Sequence, residues 1–184
     1  MTLRGPSLFV LIPVFGLGSG VLAGETSFVN PTNGHEYFLT PSPMSWQDAQ
    51  ALSRQAGGYL ASISDQAEND WIVLTFRPLM DPPDYLWIGL SDQAIEGSFV
   101  WDSGEPVSYT NWFPGEPNNV ATSPEGEDFV TLTPQDGTGR WFDAPSPTYQ
   151  GNPYLLYGVI EVVPSPGACS LFLAAATLGT RRRR

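Results

Sequence analysis

LWIGL, residues 86–90, is an uninterrupted run of apolar residues near the middle of the chain. A run of this length between polar segments is typical of a strand buried on both faces. It separates two different kinds of sequence. Upstream lie segments with helical spacing of apolar residues, and downstream lies a stretch rich in Gly and Pro, residues 91–126. Because a long irregular stretch inside a compact domain is usually functional, we expect the site of this protein in residues 91–126.

Two helices are predicted before this strand. SWQD at residues 45–48 resembles a capped helix start, and apolar residues then recur at helical spacing up to the Gly pair at 57–58. DQAE at residues 65–68 predicts the cap of a second helix, whose apolar residues extend to Phe76.

Short strands complete the domain. Residues 35–39 alternate like an edge strand, residues 60–63 suit a short strand, and residues 129–132 and 157–162 suit strands that close the domain. The predicted fold class is therefore α+β, with two early helices, small antiparallel sheets and a long loop. One compact domain is expected over residues 24–163.

Charge excludes several function classes. The chain has eight basic residues, all Arg, against 19 acidic residues, which gives a net charge of −11. Residues 24–163 contain all 19 acidic residues and only three basic ones, Arg54, Arg77 and Arg140, so that stretch carries a net charge of −16. Binding to nucleic-acid phosphates needs many basic residues and is excluded. Docking on anionic lipid is disfavoured, whereas binding of cations and solubility outside a cell are favoured.

Catalysis and cysteine chemistry are not expected. Cys169 is the only Cys, which excludes an intrachain disulfide and a Cys-based zinc site. His35 is the only His and lies in a predicted edge strand, so no Ser-His-Asp or Cys-His set is indicated. We expect a binding protein rather than an enzyme.

The N-terminus, residues 1–23, resembles a secretory signal peptide. Arg4 precedes an apolar stretch that reaches Leu22, and VLA at residues 21–23 offers small residues for cleavage. An uncleaved membrane anchor is the alternative.

The C-terminus, residues 164–184, follows a different pattern: a proline motif, an apolar run of 11 residues at 168–178, and four Arg at 181–184. The run is shorter than the roughly 20 residues of a relaxed membrane span. The order of these elements resembles the PEP-CTERM sorting signal of Gram-negative bacteria, with Ser165 in place of the usual Glu. The resemblance implies cleavage by an exosortase and a bacterial protein that is secreted or held at the envelope, with only transient membrane contact. A chance hydrophobic tail is the alternative.

Many landmarks across residues 34–162 follow one order. They are Trp46 and Ala49, GGYLASI at 57–63, Glu68, LWIGL at 86–90, Glu96-Gly97, Phe99, Trp101, Asn111-Trp112, GEPN at 115–118, Glu127-Asp128 and WFD at 141–143. This order resembles the C-type lectin domain. The resemblance implies the C-type lectin-like fold and, in many members, calcium-dependent binding of carbohydrate. Trp112 suits either the core or the flank of a site.

The acidic residues independently suggest a calcium site. Ca²⁺ takes six to eight oxygen ligands, several of them carboxylates. Residues 92–143 contain many candidate oxygen ligands and only one basic residue, Arg140. The candidates are Asp92, Glu96, Glu116, Asn118, Asn119, Glu125, Glu127, Asp128 and Asp143. So many carboxylates in one loop region repel one another unless a cation lies among them. A solvated acidic loop is the alternative.

The resemblance assigns a sugar-binding calcium site. Its ligands would be Glu116, Asn118, Glu127 and Asp143, with a cis bond before Pro117. Two vicinal sugar hydroxyls would complete the calcium shell, and the Glu-Pro-Asn motif implies mannose-type sugars. This chain departs from the family in two respects. Phe142 replaces an Asn ligand, and the interval from residue 118 to 127 is about three residues longer than expected, so Glu125 competes with Glu127 for one ligand position.

The resemblance also assigns an auxiliary, mainly structural calcium site. Its ligands would be Asp92, Glu96, Asn119, Glu127 and Asp128. The number of bound ions, one or two, is open. The half-cystine positions of the family are occupied by other residues, namely Ser53, Phe129, Ser146 and Ile160.

Two functions follow as expectations. The first is a calcium-dependent carbohydrate-binding protein at the bacterial envelope, which binds a mannose-type glycan or an exopolysaccharide. The second is a module with the same fold that binds an envelope protein or builds the extracellular matrix and has lost sugar binding. Glu116 and Asn118 favour the first function, and Phe142 favours the second.

Overall fold

The structure is a computed structural model. It describes residues 26–80, 85–120, 126–134 and 137–164. The expected signal peptide, nearly all of the expected sorting segment, Cys169 and Glu125 lie outside these residues.

The described chain contains two α-helices, one 3₁₀ turn and ten short strands. The helices are α1 (Trp46–Gln55) and α2 (Gln66–Phe76), and the 3₁₀ turn is Arg77–Leu79. The strands are β1 (Phe28–Val29), β2 (Glu36–Leu39), β3 (Tyr59–Leu60), β4 (Leu86–Ser91), β5 (Val100–Trp101), β6 (Phe129–Leu132), β7 (Trp141–Ala144), β8 (Thr148–Tyr149), β9 (Asn152–Pro153) and β10 (Tyr157–Val162).

One mixed sheet organises the domain. Its main path is β1-β2-β10-β4-β6-β7, with β3 added to β10 and β5 added to β4, while β8 and β9 form a separate hairpin. The pairing of β4 with β10 is parallel, and the other registered strand pairs are antiparallel. The α+β prediction is confirmed, with the parallel central pair as a feature that local sequence patterns did not indicate.

Both helices begin at the predicted caps. The Ser45 hydroxyl accepts a hydrogen bond from the backbone N–H of Asp48 at 3.1 Å. The Asp65 carboxylate accepts one from the N–H of Glu68 at 2.9 Å. These contacts satisfy N–H groups that lack partners within the first turn of a helix.

The LWIGL run forms β4, and all of its residues are buried. Leu86, Ile88 and Leu90 lie in one core cluster, whereas Trp87 lies in a second cluster with Trp46. Burial on both faces of the strand explains why the run does not alternate with polar residues. A Cβ at Gly89 would lie only 2.4 Å from the carbonyl oxygen of Leu60, so only Gly fits there.

The four positions that correspond to half-cystines are buried. Phe129 and Ile160 are 2% and 0% exposed, and the Phe129 ring lies 4.8 Å from the Trp46 ring, centroid to centroid. The Ser146 hydroxyl accepts from the N–H of Trp46 at 3.0 Å and donates to Gln47 Oε1 at 2.8 Å. Apolar packing and hydrogen bonds thus occupy positions where the family carries cross-links.

Several elements were not predicted. They are β1, β5, β7 and the β8–β9 hairpin. Most are two residues long, which is too short for a periodic pattern, and β7 was read only as a motif. In the ranges that the structure describes, no helix is both long enough and apolar enough to cross a bilayer.

Candidate functional site

The candidate site is built on β7, which presents Asp143. Trp141, two residues before Asp143 in the same strand, has a fully buried side chain that anchors β7 in the core. Three aromatic rings surround Trp141 edge-on, namely Trp101 at 5.7 Å, Tyr109 at 5.6 Å and Trp112 at 5.9 Å between centroids. The indole N–H also donates to Asn69 Oδ1 at 2.9 Å. Trp112 therefore packs against the core and at the same time supports the strand that carries the site.

The loop that contains the Glu-Pro-Asn motif is attached to β7 through its backbone. The N–H of Phe113 donates to the carbonyl oxygen of Trp141 at 2.9 Å, and the N–H of Glu116 donates to the carbonyl oxygen of Phe113 at 2.9 Å. The second bond closes a β-turn over residues 113–116. The Glu116–Pro117 peptide bond is cis, as expected from the sequence.

Asp143 holds the next part of this loop. Its carboxylate is 6% exposed and accepts from the N–H of Asn118 at 3.1 and 3.0 Å and from the N–H of Asn119 at 2.7 Å. A buried carboxylate is stabilised by such backbone donors. The interaction brings residues that are 25 and 24 positions apart in sequence into direct contact.

The side chains of Asn118 and Glu127 share one backbone donor, the N–H of Val120. The N–H of Val120 donates to Glu127 Oε2 at 3.0 Å and to Asn118 Oδ1 at 2.9 Å. The N–H of Glu127 donates to Asn119 Oδ1 at 2.9 Å. These contacts draw the loop after the motif and the segment before β6 together.

Burial and neighbouring negative charges both disfavour ionisation of the glutamates at this point. Burial raises the pKa of Glu116 to about 7, with further contributions from the neighbouring Asp143 and Glu127 carboxylates. The pKa of Glu127 is raised by burial and by Asp143. Glu116 Oε2 is buried and has no hydrogen-bond partner among the described residues. An unpartnered carboxylate oxygen beside two other acids is the environment that a cation stabilises.

A second acidic group lies at the start of the long loop. Asp92 is 2% exposed, and its Oδ2 accepts from the N–H of Gly97 at 2.7 Å. Its Oδ1 is buried without a hydrogen-bond partner among the described residues. Burial raises the pKa of Asp92, and the nearby charges of Glu96 and Asp128 add to this increase. The N–H of Asp92 donates to the carbonyl oxygen of Asp128 at 3.1 Å, which joins the two segments.

Several acidic side chains of the candidate site accept hydrogen bonds from backbone amides. Among the described residues, no group of three or more His, Cys, Asp and Glu side chains has the arrangement of a metal-ligand set. The Asp143 and Glu127 carboxylates instead accept from backbone amides of the loop. The donor chemistry fits calcium, because both regions offer carboxylate and amide oxygens and each contains one buried carboxylate oxygen, Asp92 Oδ1 or Glu116 Oε2, without a partner among the described residues.

Phe142 contributes an aromatic ring where the family carries an amide. Its ring stacks on that of Phe113, with centroids 4.9 Å apart and an interplanar angle of 22°, and Tyr85 meets it edge-on at 5.8 Å. Phe113 and Tyr85 were not predicted to lie at the site. Their only signal was their aromatic character, since they lie 29 and 57 positions from Phe142 along the chain.

A buried acidic cluster beside β2 was not predicted from the sequence, although Glu68 is one of the ordered landmarks. Glu68 and Glu161 are 4% and 5% exposed. The Tyr37 hydroxyl lies 2.5 Å from Glu68 Oε1 and 3.0 Å from Glu161 Oε1, and His35 Nδ1 lies 2.5 Å from Glu161 Oε1. Burial raises the pKa of Glu161. His35 thus has a structural partner in Glu161.

Comparison with known proteins identifies the family. The model of the family described as "Lectin C-type domain" matches residues 42–151. C-type mannose receptor 2 of Homo sapiens is 38% identical over 115 residues, which are 62% of this chain but 7% of the receptor. Perlucin-like protein of Mytilus galloprovincialis is 34% identical over 112 residues, 55% of this chain and 72% of that protein.

A solved structure gives the same answer. The crystal structure of the cow C-type carbohydrate-recognition domain of CD23, determined in the presence of GlcNAc2Man3 oligosaccharide, is similar with a TM-score of 0.57 and 29% identity. The similarity covers 71% of this chain and 89% of that chain. With the helices, the sheet and the motif loop already described, these findings show that the chain belongs to the C-type lectin domain family.

Proposed function

We propose that this chain is a calcium-dependent lectin that binds a mannose-type glycan or exopolysaccharide outside the cell. The observation that carries the proposal is the cis Glu116–Pro117 turn. There the charges of Glu127 and Asp143 help to raise the pKa of Glu116, and the buried Oε2 of Glu116 lacks a hydrogen-bond partner among the described residues. The names of related proteins support it, since they include a mannose receptor and a carbohydrate-recognition domain studied with GlcNAc2Man3.

The residues of the loop have separable roles in this proposal. Glu116, Asn118, Glu127 and Asp143 would hold the ion of the sugar site. Bound calcium supplies positive charge and coordination positions for two vicinal sugar hydroxyls. The Asn118 side-chain amide can donate a hydrogen bond to a hydroxyl, whereas the Glu carboxylates can accept one. Asp143 fixes the turn through the amides of residues 118 and 119, so the loop is ordered before sugar arrives.

The auxiliary site would order the long loop. Asp92, Glu96, Asn119, Glu127 and Asp128 would hold a second ion there. The N–H of Glu127 donates a hydrogen bond to Asn119 Oδ1, which joins the loop after the Glu-Pro-Asn motif to the segment before β6. A cation at Asp92 would therefore stabilise the position of the sugar site.

A module without sugar binding is the second candidate function. Phe142 favours it, because an aromatic ring supplies neither a calcium ligand nor a polar hydrogen bond. Such a protein would bind an envelope protein or contribute to a matrix.

A glycan array read with calcium and with chelator separates the two candidates. The lectin is expected to bind mannose-type glycans in calcium and to lose them in chelator. Since an ion that binds only the folded state stabilises it, calcium should also raise the melting temperature. Equal melting temperatures in calcium and in chelator would contradict calcium binding. If calcium raises the melting temperature but the protein binds no glycan on the array, the protein-binding module is favoured.

Export to the envelope or the exterior is part of the same proposal. Residues 1–23, which resemble a signal peptide, and residues 164–184, which resemble a PEP-CTERM segment, support it by their sequence patterns alone. The mature protein is expected to begin near Gly24 and to end near Val163. Intact-mass measurement on protein from the native host tests both cleavages, and a mass that retains residues 167–184 would contradict sorting by an exosortase.

A further inference from the structure

Three aromatic residues form a cluster beside the candidate sugar site. Phe113 stacks on Phe142, and Tyr85 meets Phe142 edge-on. Phe142 is half-buried and lies between the other two, whereas Phe113 is 43% exposed. Because one face of the Phe113 ring rests on Phe142, the exposed part of this ring is directed away from the cluster. The result is a flat aromatic surface supported from behind.

Two backbone connections tie this surface to the site. Phe113 is the first residue of the β-turn that ends at Glu116, so their Cα atoms lie within about 7 Å of each other. Phe142 directly precedes Asp143 in β7. The Phe113 backbone is further fixed by its N–H bond to the carbonyl oxygen of Trp141. The aromatic surface is therefore held beside the Glu-Pro-Asn turn and beside the strand that carries Asp143.

The size and charge of this surface restrict its ligand. A stable protein interface buries about 800 Å² on each partner, far more than one exposed ring provides. One pyranose ring matches it, because the C–H groups on a sugar face are attracted to the negative face of an aromatic ring. An acidic sugar is disfavoured by the surrounding carboxylates. Arg140 does not offset them, since its guanidinium donates to Asn111 Oδ1 at 3.0 Å and to the carbonyl oxygen of Trp112 at 3.4 Å.

We propose that the Phe113 ring stacks on a second, neutral hexopyranose of the glycan, next to the sugar that binds at Glu116 and Asn118. This inference rests on the proposed lectin function and extends it, because the ligand becomes an oligosaccharide of at least two neutral rings. Phe142 then has a role in sugar binding: it supports the ring that contacts the second sugar.

Calorimetric titration in calcium with methyl α-mannoside and with a mannotriose tests this subsite. The Phe113→Ala variant is expected to lose about tenfold in affinity for the trisaccharide, the scale of one aromatic stacking contact. Its affinity for the monosaccharide and its calcium-induced melting shift should stay near those of the wild type. Phe113→Trp should retain trisaccharide binding, and Leu74→Ala, which removes an exposed apolar side chain on α2, should behave as the wild type.

The outcomes distinguish the two proposals. If the wild type binds both sugars in calcium and Phe113→Ala binds them equally well, the stacking subsite is wrong and the lectin function stands. If Phe113→Ala loses both sugars together with the calcium-induced melting shift, Phe113 acts by shaping the loop, which also overturns the subsite. If the wild type binds neither sugar in calcium, the lectin function fails and the subsite fails with it.

Discussion

Replacing Asp143 by Asn is expected to reduce the calcium-induced rise in melting temperature to the part that the auxiliary site supplies, while leaving the calcium-free protein at least as stable as the wild type. The carboxylate accepts three backbone contacts from the N–H groups of Asn118 and Asn119, and an Asn side-chain oxygen can keep part of them. The substitution also removes the charge that helps to raise the pKa of Glu116, so repulsion in the calcium-free site decreases. Calcium loses a charged ligand, for which we expect a decrease in affinity of about a hundredfold.

Thermal melting in calcium and in chelator measures this effect, with isothermal titration for the affinity. Asp70→Asn is a matched control, because it changes the net charge equally at an exposed position of α2. The control should keep the full calcium shift. An Asp143→Asn variant that keeps the wild-type shift would show that Asp143 is not a ligand. Large destabilisation in chelator would show that its contacts with the loop outweigh the repulsion.

Calcium affinity is expected to rise about tenfold between about pH 6 and pH 8. The pKa of Glu116 is raised to about 7 by burial and by neighbouring carboxylates, so calcium must displace a proton below that pH. Stability of the calcium-free protein should change in the opposite direction. Between the ordinary value of 4.5 and about 7, the folded state binds a proton that the unfolded state has released. The free energy of unfolding therefore falls as the pH rises through this range.

Titration calorimetry at the two pH values and melting in chelator test the two halves of this prediction. Glu116→Gln keeps an oxygen at this position but cannot titrate. In this variant the melting temperature in chelator should depend less on pH, and the pH dependence of calcium binding should be weaker. If the wild type binds calcium equally well at both pH values, Glu116 is not a ligand that must lose a proton when calcium binds.

The elements that depend on interactions between neighbouring residues could be predicted from the sequence. The caps at Ser45 and Asp65 were predicted because a side-chain oxygen meets an N–H three residues away. The strand β4 was predicted because both of its faces are buried, which leaves an apolar run. The loop that carries the Glu-Pro-Asn motif was recognised from the order of its motifs, and the cis bond before Pro117 was expected on the same basis.

The fold class, the long acidic loop and the candidate calcium ligands could all be predicted from the sequence. Which of these residues contact one another depends on the tertiary structure. The parallel pairing of β4 with β10, the bond from Asp143 to the loop amides and the stacking of Phe113 on Phe142 join segments that are far apart in the chain. Such contacts depend on how the elements pack around a common core, and no local pattern of charge or hydrophobicity records that packing.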